Sequence, residues 1–95
     1  MKCPELKFSG HALQRMFERR ITENDVFSAI KNGEVIGEYP DDKPCPSFLL
    51  LSIVEQRPIH ILIALCAEKK VCIIVTVYEP DSNIWHIDFK TRRKQ

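Results

Sequence analysis

The chain has 95 residues, of which 44% are hydrophobic and 28% are charged, and its formal net charge is +1. These values indicate a single soluble globular domain over residues 1–95 and exclude a disordered chain. A domain this short has little room for a deep internal pocket, so we expect any site to be an open groove. The near-zero net charge does not by itself indicate a nucleic-acid-binding protein, but clustered arginines and lysines still predict one basic face.

The N-terminal residues Met-Lys-Cys-Pro are not followed by an apolar run, so we expect no signal peptide. The longest apolar stretch, Val71–Tyr78, is far too short to cross a bilayer as a helix. Both observations predict a cytoplasmic protein that does not bind a membrane.

The four cysteines contain no C-x-x-C pair, which speaks against a zinc site, and we expect no metal or other cofactor. In a reducing cytosol they are expected to be buried free thiols, although Cys66 and Cys72 could face each other across a hairpin. The four positions are Cys3, Cys45, Cys66 and Cys72.

Two helices are predicted in the first third of the chain. Ser9 is a candidate N-cap with the apolar Phe8 before it, and the first helix then runs to about Arg20. Thr22 is the candidate N-cap of a second helix with an acidic first turn, and Gly33 ends that helix as a left-handed terminator. The apolar stripe of the second helix consists of Val26, Phe27 and Ile30.

The rest of the chain changes to the period of strands, after a short extended lead-in over residues 1–8. Short gaps between the β-rich runs allow hairpins and exclude helical crossovers, which predicts an antiparallel meander. The fold is therefore predicted to be α+β, with two N-terminal helices packed on a four-stranded antiparallel meander sheet. The expected strands lie near Val35–Tyr39, Ser47–Glu55, Pro58–Ala67 and Val71–Glu79.

The C-terminal segment is predicted to add a short helix or strand. Asp81 after Pro80 is a good N-cap, and Trp85 with Phe89 at i+4 favours a helix, although the alternation around Ile87 suits a strand as well.

Both long strands near the C-terminus have one apolar face and one mixed face. The core faces are predicted to be Ile59, Ile61, Ile63 and Leu65 in one strand and Val71, Ile73, Val75 and Val77 in the other. The mixed faces could meet the C-terminal segment, a partner chain or a ligand. Their polar members are Ser52, His60, Thr76 and Tyr78, and whether these converge depends on strand register.

The first helix carries a polar stripe. His11, Arg15 and Glu18 recur at i, i+4 and i+7 and so share one helix face, a trio that can bind a phosphate and move protons. The same trio can equally be an ordinary salt-bridged helix surface. The opposite face, predicted to be buried, consists of Leu13, Met16 and Phe17.

Two motifs carry a family resemblance that runs from about Phe8 to Arg93. The first is His11-Ala12-Leu13-Gln14-Arg15-Met16, followed by Glu18-Arg19 and Ile21, and the second is Val77-Tyr78-Glu79-Pro80-Asp81, followed by Trp85 and a basic cluster. Together they resemble an uncharacterised family of small bacterial proteins grouped with RelE-like and BrnT-like toxins. The resemblance implies a barnase–RelE type of fold, a ribonuclease toxin of a toxin–antitoxin pair, and His11, Arg15 and Tyr78 as catalytic candidates.

Metal-free RNA cleavage would use these residue types in a consistent way. A histidine can act as acid or base, and an arginine can hold the phosphate. Glu18 could orient Arg15, and Tyr78 could stack on a base or donate a proton. RNA contacts are expected from Arg19, Lys90, Arg92 and Arg93, with His60 and Thr76 as further site candidates.

Each candidate also has a structural interpretation. His11 could satisfy a local backbone group, His60 could be a half-buried sheet residue, and Tyr78 could be a corner residue. The alternative function is a non-catalytic interaction module that binds a partner chain or forms a homodimer. A DNA-binding regulator fits less well, because the second helix begins with Glu23 and Asp25.

Overall fold

The computed structural model of the chain describes residues 3–93. Its elements in chain order are β1 (Glu5–Phe8), α1 (Gly10–Arg19), α2 (Glu23–Asn32), β2 (Glu34–Tyr39), β3 (Ser47–Val54), β4 (Arg57–Cys66) and β5 (Val71–Tyr78), with one 3-10 turn at Ala67–Lys69. The strands form one sheet in the order β1-β5-β4-β3-β2. The α+β class and the antiparallel meander from β2 to β5 are confirmed.

The sheet has a fifth strand that the four-stranded prediction did not contain. Within the expected lead-in, of which residues 1 and 2 lie outside the described part, β1 pairs in parallel with β5. Leu6 and Phe8 alternate along β1 and pack against the core, so the short strand buries apolar surface by joining the sheet. The sheet is therefore mixed.

Both predicted helix starts are confirmed. The Ser9 hydroxyl accepts a hydrogen bond from the backbone N–H of Ala12, and Thr22 forms a reciprocal capping box with Asp25. Gly33 ends α2 as predicted, but its predicted left-handed conformation was wrong, because its φ is −73°. The left-handed cap is Arg20, which follows α1. Position 33 needs glycine for another reason, since a Cβ there would collide with the carbonyl oxygen of Ala29.

The helices bury smaller residues than predicted. In α1 the buried residues are Ala12 and Met16, whereas Leu13 is 47% exposed and Phe17 is 87% exposed. Contact through Ala12 and Met16, four residues apart, rotates Phe17 toward solvent. In α2, Val26 is buried as predicted, but Phe27 is 48% exposed. Its ring meets that of Phe8 edge-on at the margin of the core.

The two faces of the sheet have different neighbours. The covered face, which includes Ile59, Ile61 and Val77, forms one hydrophobic core with the buried residues of both helices. The open face contains His60 and its cross-strand neighbour Tyr78, since directly paired residues share a face.

A bulge in β5 changes which of its residues face the core. The antiparallel partners run from Leu62↔Thr76 to Ile63↔Ile74, so Val75 is the extra residue. Of the four β5 residues predicted to face the core, only Val77 therefore lies in the core beneath the helices. Ile74 takes the core position that was predicted for Val75.

The C-terminal segment, residues 81–93, is neither of the two elements predicted for it. It forms a turn closed by an antiparallel bridge between Trp85 and Arg92. The Asp88 carboxylate accepts hydrogen bonds from the backbone N–H groups of Lys90 and Thr91, which offers the chain an alternative to a helix. Trp85 is nearly buried against the open face and fixes the segment there.

The interpretation of the cysteines as free thiols was wrong. Cys3 is bonded to Cys72, and Cys45 is bonded to Cys66. The hairpin places Cys66 opposite Val71 and Cys72 opposite Leu65, so the pair Cys66 and Cys72 is offset by one position. In both disulfides, one cysteine lies in a strand of the meander and the other lies outside the strands.

Arg57 connects α1 to the sheet. Its guanidinium donates hydrogen bonds to the carbonyl oxygens of Arg19 at 2.8 Å and Arg20 at 3.1 Å, and it forms an ion pair with Glu79 at 3.0 Å. Carbonyl groups at a helix C-terminus have no partner within the helix, so Arg57 satisfies them from the neighbouring layer. Within residues 3–93, no helix combines the length and hydropathy that a membrane span requires.

Candidate active site

An open groove lies on the open face of the sheet, between the C-terminal segment and the strands. Its volume is about 260 Å³. Polar and aromatic side chains make up much of its wall, with two leucines between them. The lining residues are Tyr39, Asp42, Leu49, Leu62, Thr76, Tyr78, Trp85 and Arg92.

A buried histidine supports the tyrosine of this groove. His60 has no exposed surface, and its Nδ1 lies 3.1 Å from the Tyr78 hydroxyl oxygen. Its Nε2 lies 2.7 Å from the carbonyl oxygen of Phe89. Since a carbonyl only accepts, Nε2 carries the proton, and in the neutral ring Nδ1 must accept. The Tyr78 hydroxyl therefore donates to His60.

The environment of the pair favours neutral forms of both residues. Burial lowers the pKa of His60, and the hydrogen bond to the Phe89 carbonyl opposes this only in part. Burial also raises the pKa of Tyr78, with a further contribution from Tyr39 and an opposing one from Arg92. At neutral pH the groove thus holds a phenol whose proton points at an uncharged base.

The C-terminal segment supplies both the cover over His60 and a cation. The ring of Trp85 meets His60 edge-on, with 4.5 Å between the ring centroids. The guanidinium of Arg92 lies over the ring of Trp85, 5.6 Å from its centroid. Arg92 is exposed and lines the groove, so it can meet an anion there.

An acidic side chain faces the same space. Asp42 comes from the loop between β2 and β3, and its carboxylate accepts a hydrogen bond from the buried Ser47 hydroxyl. The groove therefore has a cation from the C-terminal segment and a carboxylate from the loop.

The strand register brings three of the predicted candidates together. His60 pairs with Tyr78, and Thr76 is the next residue of the same face along β5. Ser52 pairs with Ile59 and lies on the covered face, so it does not join them. The C-terminal segment, one of the three neighbours considered for the mixed face, covers His60 and leaves the groove beside it open.

The stripe on α1 lies in a different layer. Helix α1 packs on the covered face through Ala12 and Met16, so His11 and Arg15 do not meet Tyr78. Arg15 forms an ion pair with Glu18 at 3.1 Å, and Glu18 also accepts a hydrogen bond from Gln14. His11 and Glu18 are exposed.

The predicted RNA-contacting residues are also divided among several positions. Arg92 lines the groove, whereas Lys90 forms an ion pair with Glu34 at 3.0 Å. Arg93 donates hydrogen bonds to the carbonyl oxygens of Ser82 and Trp85, which holds the C-terminal segment in its turn. Arg19 is exposed on α1, and its carbonyl is bound by Arg57.

Several groove residues escaped the sequence analysis. Tyr39 and Asp42 reach the groove through pairing of β2 with β3, and Trp85 was predicted only as part of a C-terminal helix or strand. The carbonyl of Phe89, which fixes the tautomer of His60, leaves no signal in a sequence because any residue carries a carbonyl. The tyrosine at the end of β2, beside a turn rich in proline and aspartate, was the one available hint.

Comparison with known proteins gives one family. No curated protein matches the chain, and no solved structure matches it either. A family model described as a domain of unknown function, DUF4258, matches residues 8–79, a range that includes both helices, the meander, His60, Thr76 and Tyr78. Trp85, Phe89 and Arg92 lie beyond the matched range. The chain belongs to the DUF4258 family.

Proposed function

We propose that the protein is a metal-independent endoribonuclease that acts as the toxin of a type II toxin–antitoxin pair, with the open-face groove as its active site. The observation that carries this proposal is the Tyr78 hydroxyl, which donates to a buried neutral histidine in a groove that also holds Arg92. The resemblance to RelE-like and BrnT-like proteins supports the choice of RNA as substrate.

The reaction needs a base for the 2′-hydroxyl group and a cation for the phosphate. Arg92 binds the scissile phosphate and stabilises the charge that develops on the phosphorane. Tyr78 accepts the 2′-hydroxyl proton as it passes its own proton to Nδ1 of His60. The buried imidazolium is unstable, so the proton returns through Tyr78 to the departing 5′-oxygen. The products are a 2′,3′-cyclic phosphate and a 5′-hydroxyl end.

The other groove residues can hold the nucleotide. Tyr39 offers an aromatic ring for a base to stack on, and Thr76 offers a hydroxyl donor. Exposed Arg19 and the basic residues near the C-terminus would add salt-sensitive contacts with the backbone. Messenger RNA, free or on the ribosome, is the proposed substrate. A cognate antitoxin is the proposed partner, and the cytoplasm is the proposed location.

The test compares groove variants with helix variants. Purified protein is incubated with a long single-stranded RNA and with translating ribosomes, both in the presence of a chelator, and fragment ends are mapped. We expect Tyr78→Phe and Arg92→Ala to lower the cleavage rate by about 100-fold or more, in the range for loss of a general acid–base group or a charge-stabilising donor.

Matched controls separate the groove from the helix stripe. Tyr39→Phe removes a hydroxyl from the same groove but leaves the His60 pair intact, and should retain cleavage. His11→Ala and Arg15→Ala should also retain it. Loss of cleavage in the helix variants with full activity in Tyr78→Phe would move the site to α1. Intact RNA in both assays with the unmodified protein would reject the nuclease proposal.

A second candidate function is a protein-interaction module. Phe17 is 87% exposed and Leu13, one turn earlier on α1, is 47% exposed, which is unusual for large apolar side chains on one helix. On this alternative, α1 binds a partner chain or a second copy of the protein. A Phe17→Ser variant would then lose self-association or antitoxin binding in sedimentation experiments, while RNA is left intact by every variant.

A further inference from the structure

The two disulfides lie in different surroundings. Each disulfide joins a buried cysteine to a partly exposed one, Cys72 with Cys3 and Cys66 with Cys45. Cys72 belongs to the hydrophobic core, so one sulfur of the first pair is enclosed by core side chains. Cys45 and Cys66 both line a second groove, at the end of the sheet, with a volume of about 530 Å³. A disulfide with both cysteines at a groove is more accessible to a thiol than one with a cysteine in the core, and accessible disulfides are the ones that exchange readily.

The second groove has the size and lining of a small-molecule site. Its volume falls within the range of about 300–1,000 Å³ that is typical of ligand pockets. Pro44, Pro46, Phe48 and Leu65 form an apolar wall beside the disulfide, and Glu68 and Lys69 contribute one charge of each sign. A ligand with a short apolar part and separate ammonium and carboxylate groups would complement this arrangement.

We propose that the Cys45–Cys66 disulfide is an exchange site for a low-molecular-weight peptide thiol bound in this groove. The thiolate of the ligand attacks Sγ of the partly exposed Cys45, a new S–S bond forms between them, and the Cys66 sulfur leaves as a thiolate. A second thiolate then attacks the ligand sulfur of the mixed disulfide. Cys45 is released as a thiolate, and the two peptide thiols become one oxidised disulfide.

Exchange at this site acts on one loop and leaves the sheet paired. Residues 40–46 connect β2 to β3, and both ends of the loop are held in the ladder by the pair Tyr39↔Ser47. The Leu65 N–H donates to the Pro46 carbonyl at 2.9 Å, which keeps the loop end on β4 without the disulfide. Reduction therefore removes a covalent tie from the loop but not from the hairpin of β3 and β4.

The first experiment measures which disulfide opens. The folded protein is titrated with glutathione, quenched with an alkylating reagent and mapped by mass spectrometry, with near-ultraviolet circular dichroism as the check of folding. We expect Cys45 and Cys66 to be alkylated at thiol concentrations at least tenfold below those that open Cys3–Cys72, with a glutathione adduct on Cys45 as the intermediate. Opening of Cys3–Cys72 first, or of both disulfides only on unfolding, would overturn the proposal.

Variants test the groove and its ligand class. Lys69→Glu reverses one charge of the groove and should slow exchange with glutathione several-fold, but leave the rate with uncharged mercaptoethanol unchanged. Equal rates with glutathione in the variant and the parent would reject a bound peptide thiol. In the variants with one cysteine of the pair, Cys66→Ser should form the adduct with oxidised glutathione faster than Cys45→Ser, because Cys45 is the more exposed sulfur.

Discussion

The Nδ1 atom of His60 lies 3.1 Å from the hydroxyl oxygen of Tyr78, its direct cross-strand neighbour in β4 and β5. The carbonyl of Phe89 fixes the tautomer of His60 from the other side of the ring. One backbone contact from the C-terminal segment therefore determines which way the Tyr78 proton points. Because His60 is buried beneath the C-terminal segment and Tyr78 reaches a groove, the pair links a buried base to the surface.

The stability of the protein should fall as the pH drops below the ordinary pKa of histidine. Burial lowers the pKa of His60 from 6.5, so below that pH the unfolded chain binds a proton that the native state does not. The free energy of unfolding then decreases by up to about 1.4 kcal/mol per pH unit until the native pKa is reached, and it is unaffected above pH 6.5.

Urea titrations at pH values between 5 and 8 measure this effect. His11→Asn, which changes an exposed histidine, should retain the decrease. His60→Asn should be less stable at pH 8 but lose much less stability between pH 7 and pH 5. The same slope in both variants would mean that His60 is not the group responsible.

Removing the Tyr78 hydroxyl should destabilise the fold, apart from any effect on activity. Tyr78→Phe leaves Nδ1 of the buried His60 without its donor, and an unsatisfied buried acceptor costs about 1–3 kcal/mol. Tyr39→Phe, on the partly covered edge strand, should change the free energy of unfolding by less than about 0.5 kcal/mol. Equal losses in the two variants would contradict the hydrogen bond as the cause.

Loss of the Arg57 side chain should loosen the end of α1. Arg57→Ala leaves the carbonyl groups of Arg19 and Arg20 without this donor, and we expect a loss of about 1–3 kcal/mol in unfolding free energy. Hydrogen exchange should accelerate in the last turn of α1 more than in α2. Arg57→Lys keeps the positive charge near Glu79 but lacks the several N–H donors of the guanidinium group. It should therefore recover only part of the lost unfolding free energy.

Two neighbouring residues of α1 should respond in opposite ways. Met16→Ala is expected to cost about 2–5 kcal/mol, because Met16 is buried in the core. Phe17→Ala should change stability by no more than about 0.5 kcal/mol, since the ring is 87% exposed. Thermal melts of the two variants at equal concentration decide this, and a large loss in Phe17→Ala would mean that its ring is covered in solution.

Local signals predicted most of the architecture. The side chains of Ser9 and Thr22 cap helices through neighbours three residues away, and the gaps on either side of β4 are only a few residues long. The pairing of β1 with β5 was missed because its information lies in residues far apart in sequence, such as Leu6 and Cys72. Long-range pairing of this kind depends on the total buried surface rather than on any local pattern.

The candidate site was predicted in part for a similar reason. His60, Thr76 and Tyr78 were recognised as polar residues of a mixed face, but only the register shows that they meet. The bulge at Val75 shifts the alternation by one residue, and nothing in an apolar run of β-branched residues indicates where a bulge will fall. The positions of Trp85 and Arg92 depend on a turn held by Asp88 and by carbonyl groups.

The parallel pairing of β1 with β5 also has a consequence for synthesis on the ribosome. Residues Glu5–Phe8 leave the exit tunnel early, yet their partners Val71–Ile74 are among the last residues of the sheet to be made. Until then the nascent chain can form its helices and the hairpins up to β4, but the first strand has no neighbour to pair with. Final closure of the sheet, and with it the Cys3–Cys72 crosslink, must therefore wait until the partner strand β5 has left the exit tunnel.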